Sequence, residues 1–247
     1  MASHPDARPP VHRARTRGVV SRALDRAAQR RFFERLIKHT NNFDKVSWLG
    51  TPVWQNVFDL WTIQETIAAV RPDILIETGT NRGGSSFFYA QLFDLLYPGD
   101  LSKGRLWTVD IEKLHDLRHP RVTCHLGSSI APETIKALKD WIGPGNPRVM
   151  VILDSDHSRA HVRAELEAYA PLVSPGSYLL CQDGVIDDLP MFHKNGEQGP
   201  RLAIDDFFAT SPHARHFEID HERCERFLIT HHPKGWIRRL PTETSSD

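Results

Sequence analysis

"DILIETGTNRGGSS", residues 73–86, passes from an apolar run into three closely spaced glycines and then into a polar pair that opens a further apolar stretch. The run over 73–79 reads as a strand and the segment 84–96 as a helix, so Gly79, Gly83 and Gly84 sit between the two. Missing Cβ atoms at that junction let the backbone come close to a ligand. Working outward, β-rich runs recur at 105–110, 121–127, 148–154 and 177–183, with helical segments at 132–142 and 159–170. Strands separated by helices predict an α/β, Rossmann-like fold, with a mostly parallel sheet and helices on both faces. Beyond residue 200 the order changes. A helix over 201–210 is followed by "HFEID" (216–220) and "RFLITHH" (226–232), expected to pair as a C-terminal antiparallel hairpin.

Upstream, apolar spacing through Leu24, Ala27, Ala28, Phe32, Leu36 and Ile37 predicts a helix over 23–40. A second helix is expected over 54–70, stopped by Pro72. This divides the chain into a basic, disordered arm (1–22), a helical extension (23–72) and a ligand-binding domain (73–247). The chain carries 31 basic and 31 acidic residues, distributed as +7 on residues 1–40 and −7 on the rest. Such a balance gives no reason to expect a nucleic-acid partner. Nowhere do 18 apolar residues run together, so no transmembrane segment is expected, and the arm has no apolar core of a secretion signal. Cys124, Cys181 and Cys224 are widely spaced and odd in number, which argues against a disulfide framework or a zinc site and fits a cytoplasmic protein.

In an open parallel sheet, ligands bind outside the carboxyl ends of the strands where the strand order reverses. The predicted strands end in Glu77, Thr78 and Gly79; in Asp110; in Gly127, Ser128 and Ser129; in Asp154 to His157; and in Gln182 and Asp183. All five polar clusters therefore share one rim. The glycine spacing is G-x-x-x-G-G, without the dinucleotide pattern G-x-G-x-x-G and without the lysine of a P-loop. Asp110 lies 31 residues beyond Gly79, against the ~20 of a dinucleotide ribose partner. A ligand with a ribose and a positive charge but no phosphates suits this loop, which points to S-adenosylmethionine (SAM). Glu77, Gly79, Thr80, Arg82, Gly83, Ser85, Asp110, Ser128 and Ser129 are the residues expected around it.

Asp154 and Asp183 end neighbouring strands in the expected order, close enough to share one hard cation. With the amide oxygen of Gln182 they form an oxygen-rich set suited to Mg²⁺. A competing role for Asp154 is to cap the following helix, although Asp156 is the better placed cap. His157, with a side-chain pKa ordinarily ~6.5, can accept a proton near neutral pH. His161, one turn on, reads as a face residue of the helix rather than a second metal ligand. Trp48 and Trp54 are candidates either for stacking on a sugar ring or for packing on the sheet, and 185–200 has the composition of a mobile lid.

"RPDILIETGTNRGGSSFFYAQL", "LWTVD", "ILDSDHSRAHVRAELEAYAPLVSPGSYLLCQDG", "GPRLAIDDFFA" and "FLITHHPKGWIRR" together resemble the family of cephalosporin hydroxylases and rhamnosyl O-methyltransferases, over roughly residues 48–240. The resemblance implies a class I methyltransferase fold and a SAM- and Mg²⁺-dependent O-methyltransferase. It implies as acceptor a sugar hydroxyl of a glycoside, glycolipid or antibiotic-type natural product, and it implies a homo-oligomer. It implies metal ligation by Asp154, Gln182 and Asp183 and a general base at His157. The family usually has Glu where this chain has Gln182. Two other readings stay open at this point, an oxidative tailoring component and a non-catalytic SAM-fold binding protein.

Overall fold

The computed structural model describes residues 19–41, 43–193 and 196–241. Most of the expected basic arm, residues 1–18, lies outside the described residues. The first elements are helix α1 (Val19–His39), strands β1 (Ser47–Trp48) and β2 (Thr51–Pro52), and helix α2 (Val57–Val70). An alternating series follows: β3 (Ile74–Thr78), α3 (Gly84–Leu96), β4 (Arg105–Asp110), β5 (Val122–Leu126), α4 (Pro132–Ile142), β6 (Val149–Leu153), α5 (Arg159–Tyr169) and β7 (Tyr178–Cys181). Helix α6 (Pro200–Thr210), β8 (Phe217–Ile219), the short helix α7 (His221–Cys224) and β9 (Trp236–Arg239) complete the chain.

Seven strands form one sheet in the order β5-β4-β3-β6-β7-β9-β8. The first five are mutually parallel, whereas β9 runs antiparallel to both β7 and β8. Every residue of β3, β6 and β7 is buried, because helices cover both faces and leave no polar side to alternate with. Leu60, Ile63 and Ile67 of α2 join Phe88, Tyr89 and Phe93 of α3 on one face of the sheet. Leu138 of α4, Leu166 of α5 and Ile204 and Phe207 of α6 fill the other. After β3 the chain builds outward to β4 and β5, then returns to add β6 on the opposite side. The order therefore reverses between β3 and β6.

Three expectations need correction. Among the described side chains of α1, Phe33 is the buried one, while Phe32 and Leu24 are exposed. The last turns of α1 pack on the apolar side of residues 184–192 with Ile229, and Phe33, Leu36 and Ile37 are the i, i+3, i+4 set facing it. The run "RFLITHH" is not a strand; the hairpin partner of β8 is Trp236–Arg239. Leu228 adopts a left-handed backbone (φ 63°) and Asp59 accepts hydrogen bonds from Thr230 Oγ1 and the His231 amide, so this run is held as a loop against α2. Finally, the segment read as a mobile lid contains two 3-10 turns, Gly184–Asp188 and Pro190–Phe192. Asp187 accepts from the amides of Gly199 and Leu202, and Asp188 holds Arg201 in a bidentate pair, so the segment is fastened to the start of α6.

The β1–β2 hairpin was not read from the sequence. Leu49 and Gly50 both have positive φ, as a two-residue type I′ turn requires. Beyond it, the carbonyl of Pro52 would lie 2.0 Å from a Cβ on Gly84, so the hairpin rests directly on the glycine loop.

Candidate active site

Two cavities meet where the strand order reverses, at Gly79, Asn81, Asp154 and Ser155. Gly79, with φ +89°, is the reason they can meet: a Cβ there would stand 1.8 Å from the carbonyl oxygen of Asp154. The larger cavity, about 500 Å³, lies over the ends of β3, β4 and β5 and is within the ~300–1,000 Å³ range of small-molecule sites. Asp110, Ser128, Ser129 and His161 supply its polar wall, and Ile111 and Leu114 an apolar one. The smaller, about 280 Å³, is bounded by Trp54, Gln55, Arg82, Ser85, His157 and Asp183.

In the larger cavity, the Asp110 carboxylate accepts the amides of Asn81 (2.8 Å) and Glu112 (3.2 Å), which fixes its orientation at the rim. Ser129 Oγ lies 2.9 Å from His161 Nε2, so His161 belongs to this cavity and His157 to the other. Among the expected cofactor contacts, Gly79, Asp110, Ser128 and Ser129 line this space, while Thr80, Arg82 and Ser85 line the smaller one. Gly83 caps α3 with φ 79°. Glu77 borders neither cavity. It is fully buried beneath the loop and accepts hydrogen bonds from the hydroxyls of Ser85 (2.5 Å), Thr108 (2.8 Å) and Ser86. Burial pushes its pKa up to about 7, against those three hydroxyls, which pull it down. Its place is to brace the loop from below.

The smaller cavity contains the titratable cluster. Asp154 follows β6 and Asp183 follows β7, and ligand atoms of Asp154, His157 and Asp183 all lie within 4.8 Å of one another. His157 Nε2 is 3.3 Å from Asp154 Oδ1 and 3.7 Å from Asp183 Oδ2. Gln55 donates from Nε2 to the other oxygen of Asp154 at 2.8 Å. Asp154 is therefore not the cap of α5; the residue before that helix, Ser158, gives its amide to Asp156. Burial raises the pKa of Asp154, the charge of Asp183 adds to the rise, and the hydrogen bond with His157 opposes it. Burial acts upward on Asp183 too, but His231 and His157 outweigh it and hold that carboxyl well below the usual range.

This donor set fits a hard divalent cation. Two carboxylates converge from neighbouring strand ends, and oxygen donors of that kind suit Mg²⁺. Gln182 adds an unspent amide: it is 1% exposed, and neither its oxygen nor its nitrogen has a hydrogen bond of normal geometry among the described residues, although the buried Tyr89 hydroxyl is close by. Gln182 itself borders neither cavity. A metal-ligating role for it requires that amide to turn toward the Asp154–Asp183 pair.

Trp54 lines the smaller cavity, half exposed, with the Arg82 guanidinium 5.6 Å from its ring centre. Trp48 does the packing work instead, edge-on to Phe88 and donating to Gln91. Gln55, Asn81, Ser155, His231 and His232 were not singled out by sequence reasoning. A histidine pair before Pro-Lys-Gly was the one available signal for the last two, and it was masked by the strand-like composition around it.

Residues 40–240 match the family model described as rhamnosyl O-methyltransferase/CmcI. The rhamnosyl O-methyltransferase of Mycobacterium tuberculosis H37Rv is 35% identical over 202 residues, covering 79% of this chain and 78% of its own. That of Mycobacterium leprae is 31% identical, covering 80% and 84%. Among solved structures, CmcI-N160 in its apo form superposes with a TM-score of 0.59 at 16% identity, over 81% of this chain and 78% of that one. The MycE methyltransferase from the mycinamycin biosynthetic pathway, in complex with Mg and SAH, gives 0.51 at 16% identity over 75% of this chain, which spans only 50% of MycE. These two likenesses establish the class I methyltransferase fold. No described helix is long and apolar enough to cross a membrane.

Proposed function

The chain belongs to the rhamnosyl O-methyltransferase/CmcI family of O-methyltransferases, and from that premise we propose that it transfers a methyl group from SAM to a sugar hydroxyl, assisted by Mg²⁺. The observation that carries this reading is the junction of the two cavities at Gly79 and Asp154, with His157 beside it. The larger cavity would hold SAM, with Asp110, Ser128 and Ser129 offering polar contacts for its ribose and Ile111 and Leu114 an apolar wall for its adenine. The acceptor is the sugar end of a glycoside, glycolipid or antibiotic-type natural product and enters the smaller cavity past Trp54, whose exposed face suits a sugar ring.

When bound, SAM supplies a sulfonium methyl and the cation lowers the pKa of hydroxyl oxygens that coordinate it. Asp154 and Asp183 are the anionic ligands and Gln182 the third oxygen donor. His157 would take the hydroxyl proton at Nε2 as the oxygen–methyl bond forms and the sulfonium–methyl bond breaks, with S-adenosylhomocysteine as the leaving group. Gln55 keeps one oxygen of Asp154 directed away from His157, so the carboxylate serves the metal and the imidazole serves the proton. Holding the two reactants at this junction supplies much of the rate, since orientation is worth roughly 7–11 kcal/mol in favourable cases.

The oxidative alternative is less well supported. Oxygenases of the non-haem iron type use two histidines and one carboxylate, and here the cluster has the inverse composition. We further assign the protein to the cytoplasm and to a homo-oligomer, the second supported by the exposed strip Val57, Phe58 and Trp61 on α2. Incubation with SAM, Mg²⁺ and rhamnosyl and other deoxysugar glycosides tests the whole reading. Formation of S-adenosylhomocysteine together with a methylated glycoside supports it; consumption of an oxidant, or binding without turnover, replaces it.

A further inference from the structure

Asp183 has a left-handed backbone, with φ 57° and ψ 25°, a region that residues with a Cβ seldom occupy although Asp enters it more readily than most. Something must hold it there, and the loop 229–233 does so. The backbone amide of Asp183 donates to His232 Nδ1 at 3.1 Å. That bond requires an unprotonated Nδ1, so the ring proton of neutral His232 is on Nε2, which faces Asp59 Oδ2 at 3.8 Å. His231 Nδ1 stands 3.6 Å from Asp183 Oδ1, on the side of the carboxylate opposite His157, which faces Oδ2 at 3.7 Å.

The loop is fixed in turn by Asp59 on α2. That carboxylate accepts from Thr230 Oγ1 (2.6 Å), from the His231 amide (2.8 Å) and from Asn56 Nδ2 (2.8 Å). The His231 ring is clasped edge-on by Phe33 of α1 and by Phe43, at 4.6 and 4.9 Å between centres. Asp59 and His232 are 2% and 0% exposed, so these contacts are shielded from bulk solvent.

We propose that Asp59, His231 and His232 form a clamp that sets the backbone and the carboxylate plane of Asp183, with His231 as the positioning residue that directs Asp183 toward the cation. The proposal rests on the metal reading above, and adds to it three residues from two distant parts of the chain that line neither cavity. It also gives α1 and the Phe43 turn a purpose beyond packing, because they immobilise the His231 ring.

The test uses the full chain and Mn²⁺ as the probe. Free Mn²⁺ is counted by electron paramagnetic resonance, with S-adenosylhomocysteine affinity by calorimetry and melting temperature beside it. His231→Ala should weaken Mn²⁺ binding roughly 10- to 100-fold, the usual effect of losing a group that orients a metal ligand, with S-adenosylhomocysteine affinity unchanged. His231→Asn, whose amide nitrogen falls near the Nδ1 position, should recover most of that loss. Should His231→Ala fail to fold, His231→Gln replaces it: its donor is displaced along the chain, so weaker Mn²⁺ binding than in His231→Asn supports the clamp and equal binding overturns it. Unchanged Mn²⁺ affinity in His231→Ala overturns the clamp while leaving the metal reading intact. A wild-type protein that binds no Mn²⁺ overturns the metal reading and the clamp's role together.

Discussion

His157 Nε2 lies 3.3 Å from Asp154 Oδ1, so the group suited to take a substrate proton is in contact with a carboxylate suited to hold a metal. Bound cation and neutral imidazole favour one another in this arrangement. With a cation held by Asp154, that carboxylate would engage the ring less and Nε2 of His157 would face the acceptor. His157→Ala should therefore lower turnover ~10²- to 10⁴-fold, the range of a lost general base, with SAM affinity within a few-fold of wild type. Asp154→Asn should be as severe and should also raise the Mg²⁺ requirement. Single-turnover kinetics with calorimetric SAM binding checks both; an equal loss of SAM binding in His157→Ala would remove it from the proton-transfer role.

Asp110 presents a carboxylate already oriented by two backbone amides, which suits it to a ribose diol. Asp110→Ala should weaken SAM binding about 10-fold or more, in line with the loss of hydrogen bonds to a charged group, and the melting temperature should change little. Calorimetric titration with SAM is the measurement, and an unaltered affinity would take Asp110 out of the cofactor site.

If Gln182 ligates the metal as proposed, its amide brings one fewer negative charge than a glutamate at that position would provide. Gln182→Glu should lower the Mg²⁺ concentration for half-maximal rate several-fold. Without Mg²⁺ the same variant should melt at a lower temperature than wild type, because a carboxylate buried next to Asp154 and Asp183 has no compensating cation. Mg²⁺ titrations of rate and of melting temperature test the two halves separately, and an untouched Mg²⁺ dependence would show that residue 182 does not ligate the metal.

Glu77 provides a pH signature of the fold. Its pKa in the folded protein is about 7 against an ordinary 4.5, so folding favours the protonated form. The associated stability is fully present below pH 4.5 and is lost as pH rises toward 7, by up to about 3 kcal/mol. Glu77→Gln should remove this portion of the slope and be the more stable protein, relative to wild type, at neutral pH. Urea denaturation of both proteins between pH 4.5 and 8 decides it; parallel curves would place the raised pKa elsewhere.

The parallel sheet was legible in the sequence because its strands are short apolar runs that stop at Gly79, Asp110, Asp154 and Asp183, and those stops also line the two cavities. Period and punctuation act locally, and so they survive in a linear reading. What escaped depends on distant partners. Glu77 looks like a rim residue until Ser85, Ser86 and Thr108 close over it. "RFLITHH" has strand composition, and only the contact with Asp59, about 170 residues earlier, makes it a loop that delivers two histidines to Asp183. The tight turn at Leu49 and Gly50, which carries Trp54 and Gln55 over the glycine loop, spans too few residues to show any periodicity.

Mass spectrometry of the acceptor decides whether the protein methylates a sugar diol able to chelate a metal. The protein is incubated with SAM, Mg²⁺ and a matched pair of glycosides, one with vicinal hydroxyls and one lacking the neighbouring hydroxyl, each with and without excess EDTA. The expected result is a gain of one methyl on the diol glycoside, loss of that product in EDTA and its return when Mg²⁺ is restored, and little or no product from the deoxy partner. Equal methylation of both glycosides, undiminished in EDTA, would contradict it.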